Sequence, residues 1–382
     1  MRILVSTTAG SGHIGPTTPL AEALQRAGHE VHWATAAPAC TALERRGFRV
    51  HAAGLSVPER IARFVAIAPP VPTLPPRARR AFGFSTNFAA LAGPVMLDAL
   101  LPIVDALAPE LIVHEVCELA APAIATARGI PRIVVAFSGA MPQPLLAAAL
   151  EPAAALWGRF GLEVPPDLGL TSTTYLHPFA PSMGQRPAGG DVRDIGPAAA
   201  AAAEAPDWLA SLGRERPLVY ATFGTEYPPT APWPALMEAL GRLDVDALVT
   251  IGPGGDPATL IPATRAVRGS LRVERFVPQA VVLERAAAVI SHGGAGTVIG
   301  AAARGIPQVV LPLMADQFDN ADALREAGVA LVLEPHEVEA DRITAAITAA
   351  LAGQLSPAAR ALQAEFAAMP NADAVVGALG LG

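Results

Sequence analysis

The sequence predicts an α/β protein with two doubly wound domains, each built on a parallel sheet that is covered by helices on both faces. Three observations lead to this fold class. Short apolar runs alternate with helix-forming segments, the alternation occurs once in each half of the chain, and 382 residues are too many for one ordinary domain.

The first half contains five apolar runs with the length of buried strands. They cover residues 3–6, 31–35, 48–52, 111–114 and 132–136. Glycines that act as helix stop signals follow the intervening helical segments at Gly28, Gly47 and Gly129. Strand–helix alternation of this kind is typical of a parallel sheet.

The second half repeats the pattern with six strands. They are predicted at residues 218–223, 247–251, 271–276, 288–291, 308–311 and 329–333. We therefore expect a first domain over 1–190, a linker over 191–206, a second domain over 207–355, and a helical tail over 356–382 that can return to the first domain. Residues 55–94, which carry many Pro and Phe residues, are predicted to form an irregular, mobile apolar flap near a ligand.

Composition excludes several classes of protein. The chain has no Lys, 27 basic residues that are all Arg, 34 acidic residues and a net charge of −7, which is the wrong sign for a nucleic-acid-binding protein. Cys40 and Cys117 are too few for a disulfide scaffold or a cysteine-based zinc cluster. We find neither a purely apolar run of about 18 residues nor a signal peptide, so we expect a cytoplasmic protein without stable membrane insertion.

A glycine-rich turn follows the first predicted strand. Residues 10–15 read Gly-Ser-Gly-His-Ile-Gly, which matches the dinucleotide-binding pattern. The second strand does not end in the acid that would hold the ribose of NAD, so an NAD-dependent dehydrogenase is disfavoured. His13 lies just beyond the first strand, where doubly wound sheets bind ligands, and is a candidate general base; a loop histidine without a role is the alternative.

Glu115 closes another predicted strand of the same sheet. Its carboxylate can reach the same sheet edge and hydrogen-bond the imidazole of His13, which would fix the tautomer and raise the basicity of the ring. The alternative is an acid that faces the dipole of the following helix. The two roles are compatible.

The strongest motif is Ser-His-Gly-Gly-Ala-Gly-Thr at residues 291–297, between a strand and a helix. Small residues let backbone N–H groups at a helix N-terminus approach an anion, and the Thr297 hydroxyl and His292 ring can add donors. A glycine-rich turn without a ligand is the alternative. The Asp-Val-Asp sequence at 244–246 precedes its strand and therefore lies at the wrong sheet edge, so we predict no metal site.

Residues 276–328 contain, in order, Phe-Val-Pro-Gln, His-Gly-Gly-Ala-Gly-Thr, Gly-Ile-Pro-Gln and Asp-Gln-Phe-Asp-Asn. This pattern resembles the nucleotide-sugar signature of the family 1 glycosyltransferases, and most closely that of the actinobacterial enzymes that glycosylate antibiotics and other natural products. The opening at 12–24 and Ala-Thr-Phe-Gly-Thr at 221–225 are similar too. The resemblance covers the whole chain and is weakest over 55–95 and 139–170, where acceptor loops would lie.

The resemblance implies a GT-B fold, in which two Rossmann-like domains face a cleft. The first domain would bind the acceptor and supply His13 as the base, with Glu115 as its partner. The second domain would bind the nucleotide sugar. Its implied contacts are Phe276, Val277 and Gln279 for the nucleobase, Thr225, His292, Gly293, Gly294, Ala295, Gly296 and Thr297 for the diphosphate, and Asp316 and Gln317 for the sugar hydroxyls.

Two positions depart from the family pattern. Glu115 stands where the family usually has Asp, so the longer side chain must fold back to reach His13. Gly300 stands where plant relatives have a Glu that binds the ribose hydroxyls. The second departure implies that a dTDP-sugar is favoured over a UDP-sugar.

These features predict an inverting, metal-independent glycosyltransferase without a cofactor. It would move a sugar, which we expect to be a deoxysugar, to a hydroxyl of an apolar natural-product acceptor. A nucleotide-sugar epimerase of the same fold and a non-catalytic nucleotide-sugar-binding partner protein are the alternatives, and N- or C-glycosylation is also open. A homodimer is among the oligomeric states that the sequence allows.

Overall fold

The structure is a computed structural model that describes residues 1–67, 75–198, 204–224, 231–260 and 268–382. The described chain forms two compact units. The first unit comprises Met1–Pro178, Gln185–Ile195 and Pro370–Gly382, and the second comprises Phe179–Gly184 and Gly196–Met369. Each unit is built on a parallel sheet with helices, so the predicted α/β class with two parallel-sheet domains is confirmed.

The described part of the first unit contains a seven-stranded parallel sheet in the order β3-β2-β1-β4-β5-β6-β7. The strands are β1 (Arg2–Ser6), β2 (Glu30–Thr35), β3 (Arg49–Ala52), β4 (Leu111–Glu115), β5 (Arg132–Val135), β6 (Thr174–His177) and β7 (Asp191–Asp194). The prediction of a linker over 191–206 is wrong for its first residues, because residues 191–194 form β7 and pair with β6 at the edge of the sheet. The sequence Asp-Val-Arg-Asp has no apolar run, as suits an edge strand that is only half-buried.

Eight α-helices accompany this sheet in the described residues. They are α1 (Ser11–Arg26), α2 (Ala37–Glu44), α3 (Val57–Ile67), α4 (Pro76–Phe84), α5 (Gly93–Leu107), α6 (Ala120–Arg128) and α7 (Gln143–Gly158), with the last, Ala372–Ala378, near the end of the chain. A π-helix at Ser85–Ala92 joins α4 to α5.

The expectation of an irregular flap over residues 55–94 is wrong. Residues 57–67 and 76–94 of this segment are helical, and Phe84, Ala89 and Ala92 belong to the core of the first unit. Proline lies in the first turn of both α4 and α5, a position where its fixed φ favours a helix start. Several of the prolines that suggested irregularity fall at 69–72, outside the described residues.

One helical stretch, Ala78–Leu107, has the length and apolar composition of a membrane-crossing helix, with a third of its most apolar window buried. Its residues Met96, Leu97, Leu100 and Val104 are buried in the core of the first unit. Packing against that core accounts for these apolar residues.

The second unit repeats the topology with a six-stranded parallel sheet in its described residues, in the order β10-β9-β8-β11-β12-β13. The strands are β8 (Leu218–Thr222), β9 (Asp246–Thr250), β10 (Leu271–Glu274), β11 (Ala286–Ser291), β12 (Gln308–Val310) and β13 (Ala330–Val332). The described α-helices are α8 (Trp233–Arg242), α9 (Gln279–Leu283), α10 (Ala295–Ala302), α11 (Gln317–Glu326), α12 (Ala340–Leu351) and α13 (Ser356–Ala368), and the helix Ala372–Ala378 of the first unit is α14.

The tail predicted over 356–382 is divided between the two units. Its helix α13 belongs to the second unit, whereas Pro370–Gly382 belongs to the first. There α14 packs against α1, and the Arg26 guanidinium donates to Asp373 at 2.7 Å.

Both sheets place a topological switch at corresponding positions. The chain moves outward on one side of β1 and returns on its other side as β4, and it does the same around β8 with β11. Ligands of doubly wound proteins bind beyond the carboxyl ends of strands at such points. The loops after β1, β4, β8 and β11 are therefore where each unit can build a site.

Candidate active site

The turn after β1 places His13 in the first turn of α1. Gly10 precedes this helix with a φ of 121°, a conformation that L side chains rarely adopt. A Cβ atom built on Gly10 would lie 3.4 Å from Cδ2 of His13. Gly10 therefore allows the sharp entry into α1 and the close approach of the imidazole.

His13 and Glu115 lie together, as the sequence predicts. Their strands β1 and β4 are hydrogen-bonded neighbours, with Ser6 opposite His114. The Nδ1 atom of His13 is 3.3 Å from Oε1 of Glu115, and the exposed fractions of the two side chains are 15% and 0%. This is an ion-pair distance, and no aligned hydrogen bond from the described residues reaches Nδ1.

The Glu115 carboxylate is buried and held by several donors. Oε1 accepts hydrogen bonds from the backbone N–H of Thr8 at 3.2 Å and from the Thr8 hydroxyl at 2.8 Å. Oε2 accepts from the backbone N–H of Cys117 at 2.6 Å, so the side chain folds back over its own loop. Burial by itself raises the pKa of Glu115, but His13 and these donors outweigh it and lower the pKa to about 2. The group is therefore ionised at neutral pH.

The acid that caps the following helix is Glu118. Its carboxylate accepts hydrogen bonds from the backbone N–H groups of Ala120 and Ala121 in the first turn of α6. Burial raises the pKa of Glu118 to about 7. The alternative role considered for Glu115, an acid that faces the dipole of the following helix, therefore belongs to Glu118.

Aromatic rings surround His13 in the first unit. The Phe137 ring meets the imidazole edge-on at a centroid distance of 5.1 Å, and the Phe88 ring lies at 5.5 Å. The Arg60 guanidinium lies 4.7 Å above the centroid of Phe88. Sequence reasoning did not single out Phe137 or Arg60, although Phe137 follows β5 at the same edge of the sheet, which is a usable signal.

In the second unit, the loop after β11 leads directly into α10. Gly293 has a φ of 83°, and a Cβ atom on it would lie 2.9 Å from Val310 Cγ1. A Cβ atom on Gly294 would lie 2.5 Å from Nε2 of His292. Helix α10 has no side-chain cap and no acid in its first turn, so its N-terminus keeps the positive end of its dipole. Ala295 and Gly296 form that first turn.

His292 follows β11 and is only partly exposed. Burial lowers the pKa of its ring, while the nearby Asp316 and the Thr222 backbone act in the opposite direction. The ring is therefore neutral at neutral pH and keeps one N–H donor.

Gln279 and Thr297 are joined in the same unit. The Gln279 side-chain amide donates to the Thr297 hydroxyl at 2.9 Å. A Cβ atom on Gly300 would lie 3.6 Å from Oε1 of Gln279. Nearby along the chain, Phe276 is 59% exposed although it is a large apolar residue, whereas Val277 is buried.

Asp316 is the N-cap residue of α11, and Gln317 is the first residue of that helix. The Gln317 side-chain oxygen accepts hydrogen bonds from the backbone N–H groups of Leu313 and Met314, both at 2.9 Å. Ala315, which follows Met314 in this turn, has a φ of 55°, an uncommon conformation for a residue with a Cβ atom. Gln317 is thus engaged by its own turn and holds that turn in shape.

Asn320 connects this turn to the glycine-rich loop. Its side-chain amide donates to the Gly293 carbonyl and to Oδ2 of Asp316, each at 2.9 Å. The sequence motif contained Asn320 without assigning it a role. The structure brings together His292, Gly293 and Asp316, while Thr225 lies outside the described residues.

The Asp-Val-Asp sequence serves the fold. The two carboxylate oxygens of Asp246 accept hydrogen bonds from the backbone N–H groups of Gly213 at 2.9 Å and Ser270 at 3.1 Å.

A group of side chains in the first unit could together bind a metal ion. The described residues His13, Glu115 and Cys117 each place one ligand atom within 4.8 Å of the others.

Comparisons with known proteins agree with this architecture. Residues 234–380 match the family described as erythromycin biosynthesis protein CIII-like, C-terminal domain. The chain is 31% identical to L-demethylnoviosyl transferase of Streptomyces niveus over 355 residues, which cover 89% of this chain and 86% of that enzyme. It is 27% identical to 4'-demethylrebeccamycin synthase of Lentzea aerocolonigenes over 100% of this chain and 98% of that enzyme.

Solved structures give the same fold. The spinosyn rhamnosyltransferase SpnG complexed with thymidine diphosphate superposes with a TM-score of 0.79 at 24% identity, covering 100% of both chains. This fold is the GT-B fold that the sequence resemblance implied. With its match to the CIII-like family and its full-length relatives, the chain belongs to the GT-B glycosyltransferases of family 1 that act in actinobacterial natural-product pathways.

Proposed function

We propose that this glycosyltransferase is an inverting, metal-independent enzyme that moves a sugar from a dTDP-sugar to a hydroxyl of an apolar natural-product acceptor, with His13 as the general base. The observation that carries the proposal is the pairing of His13 with an ionised Glu115. A partly exposed imidazole backed by a buried carboxylate favours a catalyst over a non-catalytic partner protein.

The roles of the two ring nitrogens follow from this pairing. Glu115 faces Nδ1 and favours the tautomer that carries its proton there. Nε2 then keeps its lone pair for the acceptor hydroxyl. As the hydroxyl oxygen attacks the anomeric carbon, its proton moves to Nε2, and Glu115 stabilises the imidazolium that forms. Attack from the face opposite the leaving nucleoside diphosphate inverts the anomeric configuration.

The leaving diphosphate needs compensation for its developing charge. The uncapped N-terminus of α10 offers backbone N–H groups and the positive end of the helix dipole. The neutral His292 ring and the Thr297 hydroxyl add donors, and Thr225 is expected to add another. These groups support a departure that requires no metal ion.

We assign the binding of the sugar and of the nucleobase to neighbouring parts of the second unit. We propose that Asp316 binds sugar hydroxyls, with Gln317 shaping the turn that carries it. Phe276, whose ring is exposed, would stack on the nucleobase, while Val277 and Gln279 would meet its edge. Gly300 offers no carboxylate to the ribose, which supports dTDP over UDP as the carrier.

The acceptor is assigned to the first unit. The Phe88 and Phe137 rings beside His13 favour an apolar acceptor over a free sugar or a charged metabolite.

The decisive experiment incubates the purified chain with a panel of dTDP- and UDP-sugars and with aromatic and macrolactone acceptors that carry hydroxyls. Mass spectrometry should detect an acceptor plus one sugar, and the NMR coupling of the anomeric proton should report a configuration opposite to that of the donor. The rate in excess EDTA should equal the rate with added Mg²⁺. A product of retained configuration, isomerised nucleotide sugar without transfer, or activity that disappears on chelation would contradict the proposal.

A further inference from the structure

The first unit contains a thiol beside the His13–Glu115 pair that the proposed reaction does not use. One ligand atom each from His13, Glu115 and Cys117 lies within 4.8 Å of the other two, and the His13–Glu115 distance is 3.3 Å. Cys117 and Thr8 also line a cavity of about 10 Å³, which is roughly the space of one water molecule.

We propose that His13, Glu115 and Cys117 form a binding site for a thiol-seeking divalent cation, with Zn²⁺ as the best match, and that the bound cation inhibits sugar transfer. Imidazole nitrogen, carboxylate oxygen and thiolate sulfur are the three ligand types that Zn²⁺ takes in proteins. Mg²⁺ and Ca²⁺ prefer all-oxygen sites, so the thiol selects against them.

The geometry needs little adjustment. A tetrahedral Zn²⁺ with bonds of about 2.0–2.3 Å separates its ligand atoms by roughly 3.3–3.6 Å. The His13–Glu115 distance already has this value. The Cys117 sulfur lies within 4.8 Å of the other two ligand atoms, so it needs to approach by about 1.3 Å at most, which a side-chain rotation can provide. The fourth position is left for water or an acceptor oxygen.

The surroundings favour a cation. The Glu115 carboxylate is fully buried and ionised, with donors on both oxygens that hold it in place, so an added positive charge meets an oriented negative one. His13 is 15% exposed and provides the route from solvent.

The inhibition follows from the proton positions. When the metal binds Nδ1 of His13, the ring proton moves to Nε2 through solvent, and the Cys117 thiol releases its proton to water as the sulfur–metal bond forms. Nε2 is then a donor and cannot accept the proton of the acceptor hydroxyl. This inhibition rests on the proposed role of His13 as the base, whereas metal binding itself does not.

Cobalt distinguishes binding from inhibition. The purified full-length chain, reduced and freed of metal, is titrated with Co²⁺, whose bond to a thiolate gives a near-ultraviolet charge-transfer band. We expect the band in the wild type and in Cys40→Ser, which alters the chain's other thiol, half-buried in α2. We expect no band in Cys117→Ser or Cys117→Ala, with thermal unfolding as the check that both variants fold. No band in the wild type, or a band that survives in the Cys117 variants, would overturn the site.

Inhibition is measured in parallel as the Zn²⁺ concentration that halves each variant's own metal-free transfer rate. Cys117→Ser should raise this concentration by about 10-fold or more, Cys40→Ser should leave it unchanged, and EDTA should restore the rate. Equal inhibition of the wild type and Cys117→Ser would overturn the role of the thiol. A cobalt band without zinc inhibition would keep the site but overturn the inhibitory step, and with it the assignment of His13 as the base.

Discussion

The imidazole of His13 and the carboxylate of Glu115 face each other at 3.3 Å across two adjacent parallel strands. One side chain comes from the first turn of a helix and the other from the last residue of a strand, so each is carried by a rigid element. The first two predictions concern this pair.

His13→Ala should lower kcat by about 10²–10⁴-fold, the usual contribution of a positioned general base. Calorimetric titration should show unchanged affinity for dTDP, because the proposed nucleotide contacts all lie in the second unit. His336→Ala, which alters an exposed histidine of the second unit, is the matched control and should change neither value. Near-normal turnover of His13→Ala on an unactivated hydroxyl would remove the base assignment.

Glu115→Gln preserves the size of the side chain and one acceptor oxygen, which can serve either the Thr8 donors or the Cys117 N–H but not both, and it loses the charge. It should lower kcat by less than His13→Ala does, because orientation is partly kept while imidazolium stabilisation is lost. In a double-mutant cycle, adding Glu115→Gln to His13→Ala should have little further effect. Additive losses in the two variants would mean that Glu115 acts on something other than His13.

Gly296→Ala tests the diphosphate site. A Cβ atom on Gly296 would meet nothing within 4 Å, and Ala in place of a helical Gly is stabilising by roughly 0.5–1 kcal/mol. We therefore expect an unchanged or higher Tm together with weaker binding of dTDP, since the added methyl occupies the space of the phosphates. Gly377→Ala in α14 has equally open surroundings and should leave dTDP binding intact. Unaltered dTDP affinity in Gly296→Ala would place the diphosphate elsewhere.

The choice of nucleotide depends on Gly300. Without a carboxylate for the ribose hydroxyls, dTDP should bind at least as tightly as UDP in competition measurements. A hydrogen bond to a charged partner contributes about 1.5–3 kcal/mol, so a site with Glu at this position would favour UDP by about 10-fold or more. Gly300→Glu should therefore shift the preference toward UDP. A strong UDP preference in the wild type would contradict the assignment.

Glu118 predicts a pH-dependent stability. Its pKa in the folded state is about 7 because it is buried, against an ordinary value of 4.5, so the folded chain holds an extra proton between these values. Stability contributed by this proton is present below pH 4.5 and is lost as the pH rises through 7. Glu118→Gln keeps an acceptor for the first turn of α6 without the charge. The change that this substitution makes in the free energy of unfolding should be more favourable at pH 8 than at pH 5, by on the order of 3 kcal/mol.

The buried His114 gives stability the opposite dependence on pH, so the effect of Glu118 has to be measured as the difference between wild type and variant at each pH. Burial lowers the pKa of His114 to about 4, so its contribution to stability is lost as the pH falls from 6.5 toward 4. Comparing wild type and Glu118→Gln at each pH cancels this contribution. Glu118→Ala removes the acceptor and should destabilise at both pH values. A Glu118→Gln effect that does not change with pH would show that the carboxyl is not titrating in this window.

The His13–Glu115 pair could be found from the sequence because Glu115 ends β4 and His13 lies in the glycine-rich turn into the helix that follows β1, and adjacent parallel strands bring their carboxyl ends to one edge. The helices over residues 57–67 and 76–107 could not be predicted, because a high proline count suggested irregularity and only tertiary packing shows Phe84 and Ala89 in the core. The role of Asn320 could not be predicted either, because Asn320 lies inside α11 and not at a strand end, so the strand pattern gives no signal for its hydrogen bond to the Gly293 carbonyl.

The return of Pro370–Gly382 to the first unit has a consequence for engineering. Recombining halves of related glycosyltransferases to pair new donors with new acceptors requires the last helix to be taken with the first unit, the proposed acceptor half, because α14 packs against α1 and Asp373 meets Arg26. The CIII-like family match ends at residue 380 and runs through the crossover at Met369, so a splice placed at the edges of that match would attach a foreign α14 to α1. Chimeras with a single crossover point should express poorly, and those with a second crossover after Met369 should recover a native-like Tm.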